Sequence, residues 1–192
     1  MKKREILGTV LLAAMLAAGS VTVLAEEDNT EQETQEQEGD IQEQQSEIDA
    51  ALQAELENGY ALEDALIVVN PYGTAPLSAV AVFTTEEACG GTVTVKGKLA
   101  ENDVTGTFEA DTDHIVPIYG LYSGQATEVV ITLDDGTSST FSVETESVNV
   151  DYGTIQTEML DESAYDYSQL TFVCSTMGSV YAVDAAGDLR FF

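Results

Sequence analysis

The chain has 192 residues, of which six are basic and 35 are acidic, and its net charge is −29. Its length accommodates one ordinary domain with additional segments. A field this negative repels phosphate backbones and anionic lipid headgroups, which excludes nucleic acids and anionic membrane surfaces as partners.

The N-terminus has the pattern of an export signal. Basic residues at positions 2–4 precede an apolar run at residues 6–18, and Val23-Leu24-Ala25 supplies the small residues that signal peptidase recognises. We predict a signal peptide over residues 1–25, cleaved after Ala25, and a periplasmic, cell-envelope or extracellular location. An uncleaved membrane anchor is the alternative, because residues 6–25 have about the 20 residues that a helix needs to span a bilayer. Cleavage leaves three basic and 34 acidic residues, which gives a net charge of −31. We expect no stable membrane insertion after cleavage.

Residues 26–59 differ in composition from the rest of the chain. They contain 13 acidic residues and seven glutamines, but no basic or aromatic residue. Because this composition cannot bury enough apolar surface to offset the entropy of ordering, we predict a disordered acidic tether. Four aliphatic residues of the segment fall near helical spacing: Ile41, Ile48, Leu52 and Leu56. These four residues predict either a marginal helix over residues 44–57 or a helix that binds a partner.

From Tyr60 onward, short β-prone runs alternate with turn residues. Seven strands are predicted, over residues 65–70, 77–84, 92–98, 106–110, 115–119, 128–133 and 138–144. Apolar and polar residues alternate within them, as in Thr92-Val-Thr-Val-Lys96, and Asp134-Asp135-Gly136 is typical of a hairpin turn. This spacing favours an all-β fold, an Ig-like β-sandwich, which we place at residues 60–150.

The chain continues after the predicted sandwich. Residues 151–169 are polar and are predicted to form a connector. Residues 170–174 and 180–183 are apolar and are predicted as strands, and an Asp184-Ala-Ala-Gly187 turn leads into residues 188–192. We interpret these as the first strands of a second β domain. Because an isolated hairpin is marginal in water, we expect these strands to belong to a structure that continues.

The sequence offers few groups for chemistry. His114 is the single histidine, and no G-x-S-x-G turn is present to expose a serine. A zinc site needs three or four ligands, and Asp111-Thr-Asp113 lacks the glycine and the final glutamate of a calcium loop. We therefore predict no catalytic, cofactor-binding or metal-binding residue, and no cofactor. Cys89 and Cys174 can form a disulfide in an exported protein or remain free thiols.

Several short motifs, in a fixed order, resemble one family. They are Asn70-Pro71-Tyr72-Gly73 with Pro76, Val93-Thr-Val-Lys-Gly97, Pro117 with Tyr119, Gly120 and Tyr122, and Asp184 with Gly187 and Arg190. Over residues 66–192 the chain resembles the N-terminal β-sandwich domain of bacterial aryl-sulfate sulfotransferases, with the start of the β-propeller that follows it. These residues are expected to be structural: Gly73 takes a positive φ between two prolines, and the rings of Tyr119 and Tyr122 fill the space between the sheets.

The resemblance implies a function for the complete enzyme, which moves a sulfuryl group from an aryl sulfate to a phenol. In the family a propeller histidine accepts that group, and no residue here matches it, because His114 falls inside a sandwich motif. We therefore expect an inactive, non-catalytic region of an exported enzyme, truncated before its propeller. Its expected partners are the propeller and a second subunit. A free-standing secreted binding module, which would end near Val150, and a cell-surface spacer are the alternatives.

Overall fold

The computed structural model describes residues 30–148, 169–174 and 180–192, with side chains from residue 41 onward. The predicted signal peptide and nearly all of the predicted connector lie outside the described residues. The elements are α1 (Thr30–Glu55), β1 (Leu66–Val69), β2 (Ser78–Val95), β3 (Val104–Tyr119), β4 (Ala126–Leu133), β5 (Ser138–Glu144), β6 (Thr171–Cys174), β7 (Val180–Val183) and β8 (Leu189–Phe191). Short 3-10 turns lie at Leu56–Asn58, Leu62–Asp64 and Ala100–Asn102.

Two long strands, β2 and β3, contribute to both layers of the sandwich. In the first layer Val80 of β2 pairs with Val68 of β1 and with Pro117 of β3. In the second layer residues 91–95 of β2 pair with β3 and β4, and β4 pairs with β5. The β2–β3 register shifts on both sides of Cys89, which bends both strands from one layer into the other.

The predicted all-β, Ig-like sandwich is confirmed. The structure forms it from five strands, where the sequence predicts seven. The predicted strands at 77–84 and 92–98 are the two halves of β2, and those at 106–110 and 115–119 are the two halves of β3. Between the halves of β2 lie acidic and small residues, which have low strand propensity. Pairing with β3 on both sides of this stretch keeps β2 continuous in spite of that low propensity.

The space between the two layers is apolar. Val93 and Val95 face this core, while Thr92 and Thr94, which alternate with them, face outward, as the sequence pattern predicts. The fully buried side chains of the core include Phe83, Ile118, Leu121, Val129 and Ile131. The main core therefore holds the first and second layers together.

Helix α1 covers the outer face of the first layer. Leu52 is 6% exposed and packs with Val80 and Val82, and the half-buried Ile48 and Leu56 complete the contact. The structure thus differs from the expected disordered tether, and the helix begins at Thr30 rather than near residue 44. Packing on the sheet explains this difference, because contact between an apolar helix face and the rest of the protein provides most of the stability of a helix. None of the described helices is long and apolar enough to span a membrane.

Strands β6, β7 and β8 form a second antiparallel sheet, in that order, which we call the terminal sheet. One face packs into the main core through Tyr181, Val183 and Leu189. On this sheet Phe172 remains 61% exposed and Val180 45% exposed. The sequence predicts that these strands depend on a structure that continues after them. The described residues show instead that the terminal sheet packs on the sandwich.

Candidate functional site

The connection between β3 and β4 places Tyr122 at one end of the sandwich. Gly120 has a φ of 87°, which glycine adopts without steric cost, and turns the chain after β3. The Tyr122 amide donates to the hydroxyl of Thr127 at 3.1 Å, and its carbonyl accepts a hydrogen bond from the Thr145 hydroxyl. Because both threonines are buried, the backbone of Tyr122 is fixed on two sides.

The turn between β7 and β8 positions Asp184. Its Oδ1 accepts hydrogen bonds from the amides of Ala186 and Asp188, both at 3.0 Å, and Gly187 follows with a φ of 85°. This ties the carboxylate to its own turn and directs Oδ2 toward Arg190, whose Nη1 lies 3.0 Å away. Asp184 is 1% exposed and Arg190 is 0% exposed, so the ion pair lies fully inside the protein.

The Arg190 guanidinium joins the terminal sheet to the sandwich. Its Nε donates to the Gly120 carbonyl at 2.7 Å, and its Nη1 lies 2.8 Å from the Tyr122 hydroxyl and 3.2 Å from the Asn102 carbonyl oxygen. We call Asn102, Gly120, Tyr122, Asp184 and Arg190 the junction cluster. A buried charge is tolerated only when it is paired and hydrogen-bonded, and the sandwich supplies most of the partners here.

The Tyr122 hydroxyl has a full set of partners. It accepts from the Lys98 amide at 3.0 Å and from Arg190, and it donates to Asp184 Oδ2 at 3.1 Å. Burial raises the pKa of Tyr122 above its usual value of 10.0. The hydroxyl therefore keeps its proton and acts as donor and acceptor at once.

All three basic residues that follow the predicted signal peptide lie at this end of the molecule. Each is paired with an aspartate: Lys96 with Asp103 at 2.7 Å, Lys98 with Asp188 at 2.7 Å, and Arg190 with Asp184 at 3.0 Å. The Lys98 pair also crosses the junction, but both of its side chains are partly exposed, and such pairs contribute little to stability. The buried Arg190 pair is therefore the main polar connection.

A shallow cleft of about 170 Å³ lies beside the junction cluster. It is lined by Lys96, Gly97, Lys98, Tyr122, Gln125, Ala126, Thr127 and Glu128. Ligand pockets for small molecules are typically about 300–1,000 Å³ and mostly apolar. The cleft is thus smaller and more polar than such a pocket.

The first sequence motif forms the turn between β1 and β2. Gly73 has the predicted positive φ, 71°, and Asn70 has a positive φ as well, 48°. The Asn70 side chain accepts a hydrogen bond from the Ala75 amide at 3.0 Å, which compensates for this conformation. Tyr72 donates its hydroxyl hydrogen to Asp49 of α1, so the turn also contacts the helix.

The two tyrosines of the other sandwich motif have different environments. Tyr122 is 4% exposed, whereas Tyr119 is 56% exposed. The expectation that both rings fill the space between the sheets is therefore corrected for Tyr119. Alternation explains the difference, because Ile118 faces the core and its neighbour in β3 must face outward. Pro117 lies where β3 pairs with β2, and its missing amide is tolerated at a sheet edge.

His114 is a core residue at the bend between the layers. It is 3% exposed, its ring stacks on Phe83 with centroids 4.5 Å apart, and its Nε2 lies 3.1 Å from the Thr85 hydroxyl oxygen. Loss of hydration lowers the pKa of His114 below 6.5, and the carboxylates of Asp111 and Asp113 only partly oppose this. The imidazole is therefore neutral near pH 7 and shielded from any substrate.

Neither cysteine is in a disulfide. Cys89 is half-buried in β2 and Cys174 is exposed in β6, and both thiols are free. In the part of the chain that the structure describes, no three His, Cys, Asp or Glu side chains are arranged to hold a metal ion.

The fold defines the class of protein as an Ig-like β-sandwich with a small sheet docked at one end. Residues 66–152, which span β1 to β5, match the family model of the arylsulfotransferase Ig-like domain. Residues 66–152 therefore belong to the N-terminal Ig-like domain of the arylsulfotransferase family, which confirms the resemblance over these residues. The resemblance of the terminal residues to the start of a propeller lies outside the match and stays a prediction. No match to the chain was found among curated proteins.

Proposed function

We propose that this chain is the non-catalytic N-terminal region of an exported arylsulfotransferase, and that it holds the domain to which the terminal sheet belongs in a fixed orientation. The family match supports the first part of the proposal. The burial of Arg190 between the two sheets carries the second part. Export rests on the predicted signal peptide, and the sulfuryl transfer belongs to the complete enzyme.

The chain by itself is inactive in this proposal. A nucleophile must reach its substrate, and His114 is buried against Phe83. The purified chain, mixed with an aryl sulfate and a phenol acceptor, should release no more phenol from the aryl sulfate than buffer does. Release that disappears in His114→Ala would contradict this part of the proposal.

The fixed orientation follows from contacts of the Arg190 guanidinium with both the sandwich and the terminal sheet. Its partners Gly120 and Tyr122 belong to the sandwich, while Asp184 belongs to the terminal sheet. The exposed apolar side chains of Phe172 and Val180 give the terminal sheet a surface on which further structure could pack. The expected occupant of that surface is the following catalytic domain.

Residual dipolar couplings test the orientation directly. The amides of β1–β5 and those of β6–β8 should fit one alignment tensor in the isolated chain, because the two sheets form one rigid body. Two different tensors would show that the sheets move independently, and the proposed role would be lost.

The alternative is a free-standing secreted binding module. One observation favours it: Tyr181, Val183 and Leu189 share the main core, so the terminal sheet completes a single unit. The two proposals make different predictions about whether another domain covers the outer face of that sheet. If a further domain covers it, the isolated chain should bind a hydrophobic dye and self-associate, and Phe172→Ser should reduce both. A monomer without dye binding would favour the free-standing module.

A further inference from the structure

Helix α1 rests on the sandwich through a short apolar contact. Leu52 is buried, and Ile48 and Leu56 are half-buried beside it. This contact runs from residue 48 to residue 56, which is about 12 Å along the axis of a 26-residue helix. Ile41 belongs to the same stripe of the sequence but is 54% exposed. The apolar contact is therefore confined to the C-terminal part of α1.

The part of the first layer beneath α1 is aliphatic. Val80 and Val82 are buried there, and Leu66, Val68 and Ile115 are half-buried around them. The strands that carry these residues are paired with one another, and α1 contributes no residue to the main core. The sheet can therefore keep its pairing and its core without the helix, but this aliphatic surface would then face water.

The hydrogen bonds at the end of α1 join its carboxylates to neutral groups. The Tyr72 hydroxyl, in the turn between β1 and β2, donates to Asp49. The Tyr60 hydroxyl donates to Glu55 Oε2 at 3.0 Å, immediately after the helix. Both donors are phenols, which keep no positive charge. These contacts hold the helix without neutralising its negative charge.

The segment that contains α1 and the body on which it rests have charges of the same sign. Residues 26–59 contain 13 acidic residues and no basic one, and residues 60–192 contain 21 acidic and three basic residues, a net charge of −18. The three basic side chains, Lys96, Lys98 and Arg190, are each paired with an aspartate outside α1. Because like charges repel, electrostatics opposes the docking that apolar burial favours.

We propose that α1 is a detachable strap, which covers the aliphatic surface of the first layer at moderate ionic strength and is released at low ionic strength. The Debye length is about 30 Å at 0.01 M salt, longer than the whole contact, and about 8 Å at 0.15 M. Salt therefore removes much of the repulsion and leaves the apolar contact in place. A helix held by ion pairs would respond to salt in the opposite direction. The proposal does not depend on the sulfotransferase assignment.

Hydrogen exchange of the full chain at two ionic strengths tests the proposal. The amides of residues 48–56 should exchange about tenfold faster at 0.01 M than at 0.15 M sodium chloride, while those of β2 change little, because a released helix is marginal in water. Choline chloride should act as sodium chloride does, since screening requires no bound ion. Equal rates at the two ionic strengths, the same acceleration in β2, or protection by one cation alone would overturn the proposal.

Matched variants separate the repulsion from the apolar contact. The triple variant Glu43→Gln, Glu47→Gln and Glu57→Gln removes three exposed charges at residues of similar helix propensity, and should lower the ratio of the two exchange rates about twofold. Ile48→Val is the control: it weakens the apolar contact, should accelerate exchange at both ionic strengths and should leave the ratio unchanged. An unchanged ratio in the glutamine variant, or an equal decrease in both variants, would contradict the proposal.

Discussion

The central carbon of the Arg190 guanidinium lies 3.9 Å from the centroid of the Tyr122 ring, while Nη1 of the same group lies 2.8 Å from the Tyr122 hydroxyl. The two residues are 68 positions apart in the chain: Tyr122 lies in the connection between β3 and β4, and Arg190 lies in β8. The arginine therefore makes a cation–π contact and a hydrogen bond with one side chain. Because both residues are buried, this contact ties the position of the terminal sheet to that of the sandwich.

Replacement of Arg190 should be strongly destabilising. Arg190→Met removes the charge and leaves the Asp184 carboxylate buried without its partner, which costs about 3–5 kcal/mol of unfolding free energy. Urea denaturation of the two proteins measures this difference. The matched control is Lys98→Met, which removes the exposed pair with Asp188 and should change the free energy by about 1 kcal/mol or less. Equal effects of the two variants would contradict the assigned importance of the buried pair.

The stability should decrease when the pH falls through the titration range of His114. Burial lowers the pKa of His114 below 6.5 in the folded protein, so the unfolded chain takes up the proton first. The contribution of His114 is therefore fully present above about pH 6.5 and is lost below it, by at most about 1.4 kcal/mol per pH unit. His114→Gln should lack this decrease between about pH 7 and 5.5. A parallel pH profile in the variant would assign the decrease to other groups.

Helix α1 should contribute to the stability of the sandwich. Leu52→Ala truncates the buried leucine through which α1 contacts the sheet and should lower the unfolding free energy by about 2–3 kcal/mol. Ile41→Ala is the control, since Ile41 is 54% exposed on the same helix, and it should have an effect below about 0.5 kcal/mol. Composition alone predicts that deletion of residues 26–59 leaves the melting temperature unchanged; the structure predicts a decrease. An unchanged melting temperature would favour the tether.

Local patterns in the sequence were sufficient for much of the sandwich. The alternation at Thr92 to Val95 correctly predicts which side chains are buried, and β5 has the predicted bounds of 138–144. Strand continuity was missed because the bend in β2 is determined by pairing with β3. The docking of α1 was missed because Leu52 packs against Val80 and Val82, which no local pattern connects to it.

The junction cluster was only partly accessible from the sequence. The family resemblance identifies Gly120, Tyr122, Asp184 and Arg190 as motif residues. It does not identify Asn102, the fifth member of the cluster. Their contact with one another was missed, because hydrogen bonds between residues 68 positions apart leave no periodic signal. One signal was available: only three basic residues follow the predicted signal peptide, and a buried carboxylate needs one of them.

Hydrogen exchange of the monomer tests the central claim, that the terminal sheet is held on the sandwich through Arg190. The account predicts slow exchange of the amides of β7 and β8 in the wild-type chain, at rates close to those of β2. It also predicts that Arg190→Met accelerates exchange in β7 and β8 much more than in β2, while Lys98→Met leaves both unchanged. Fast exchange of β7 and β8 in the wild-type monomer, as in an unstructured peptide, would contradict the account.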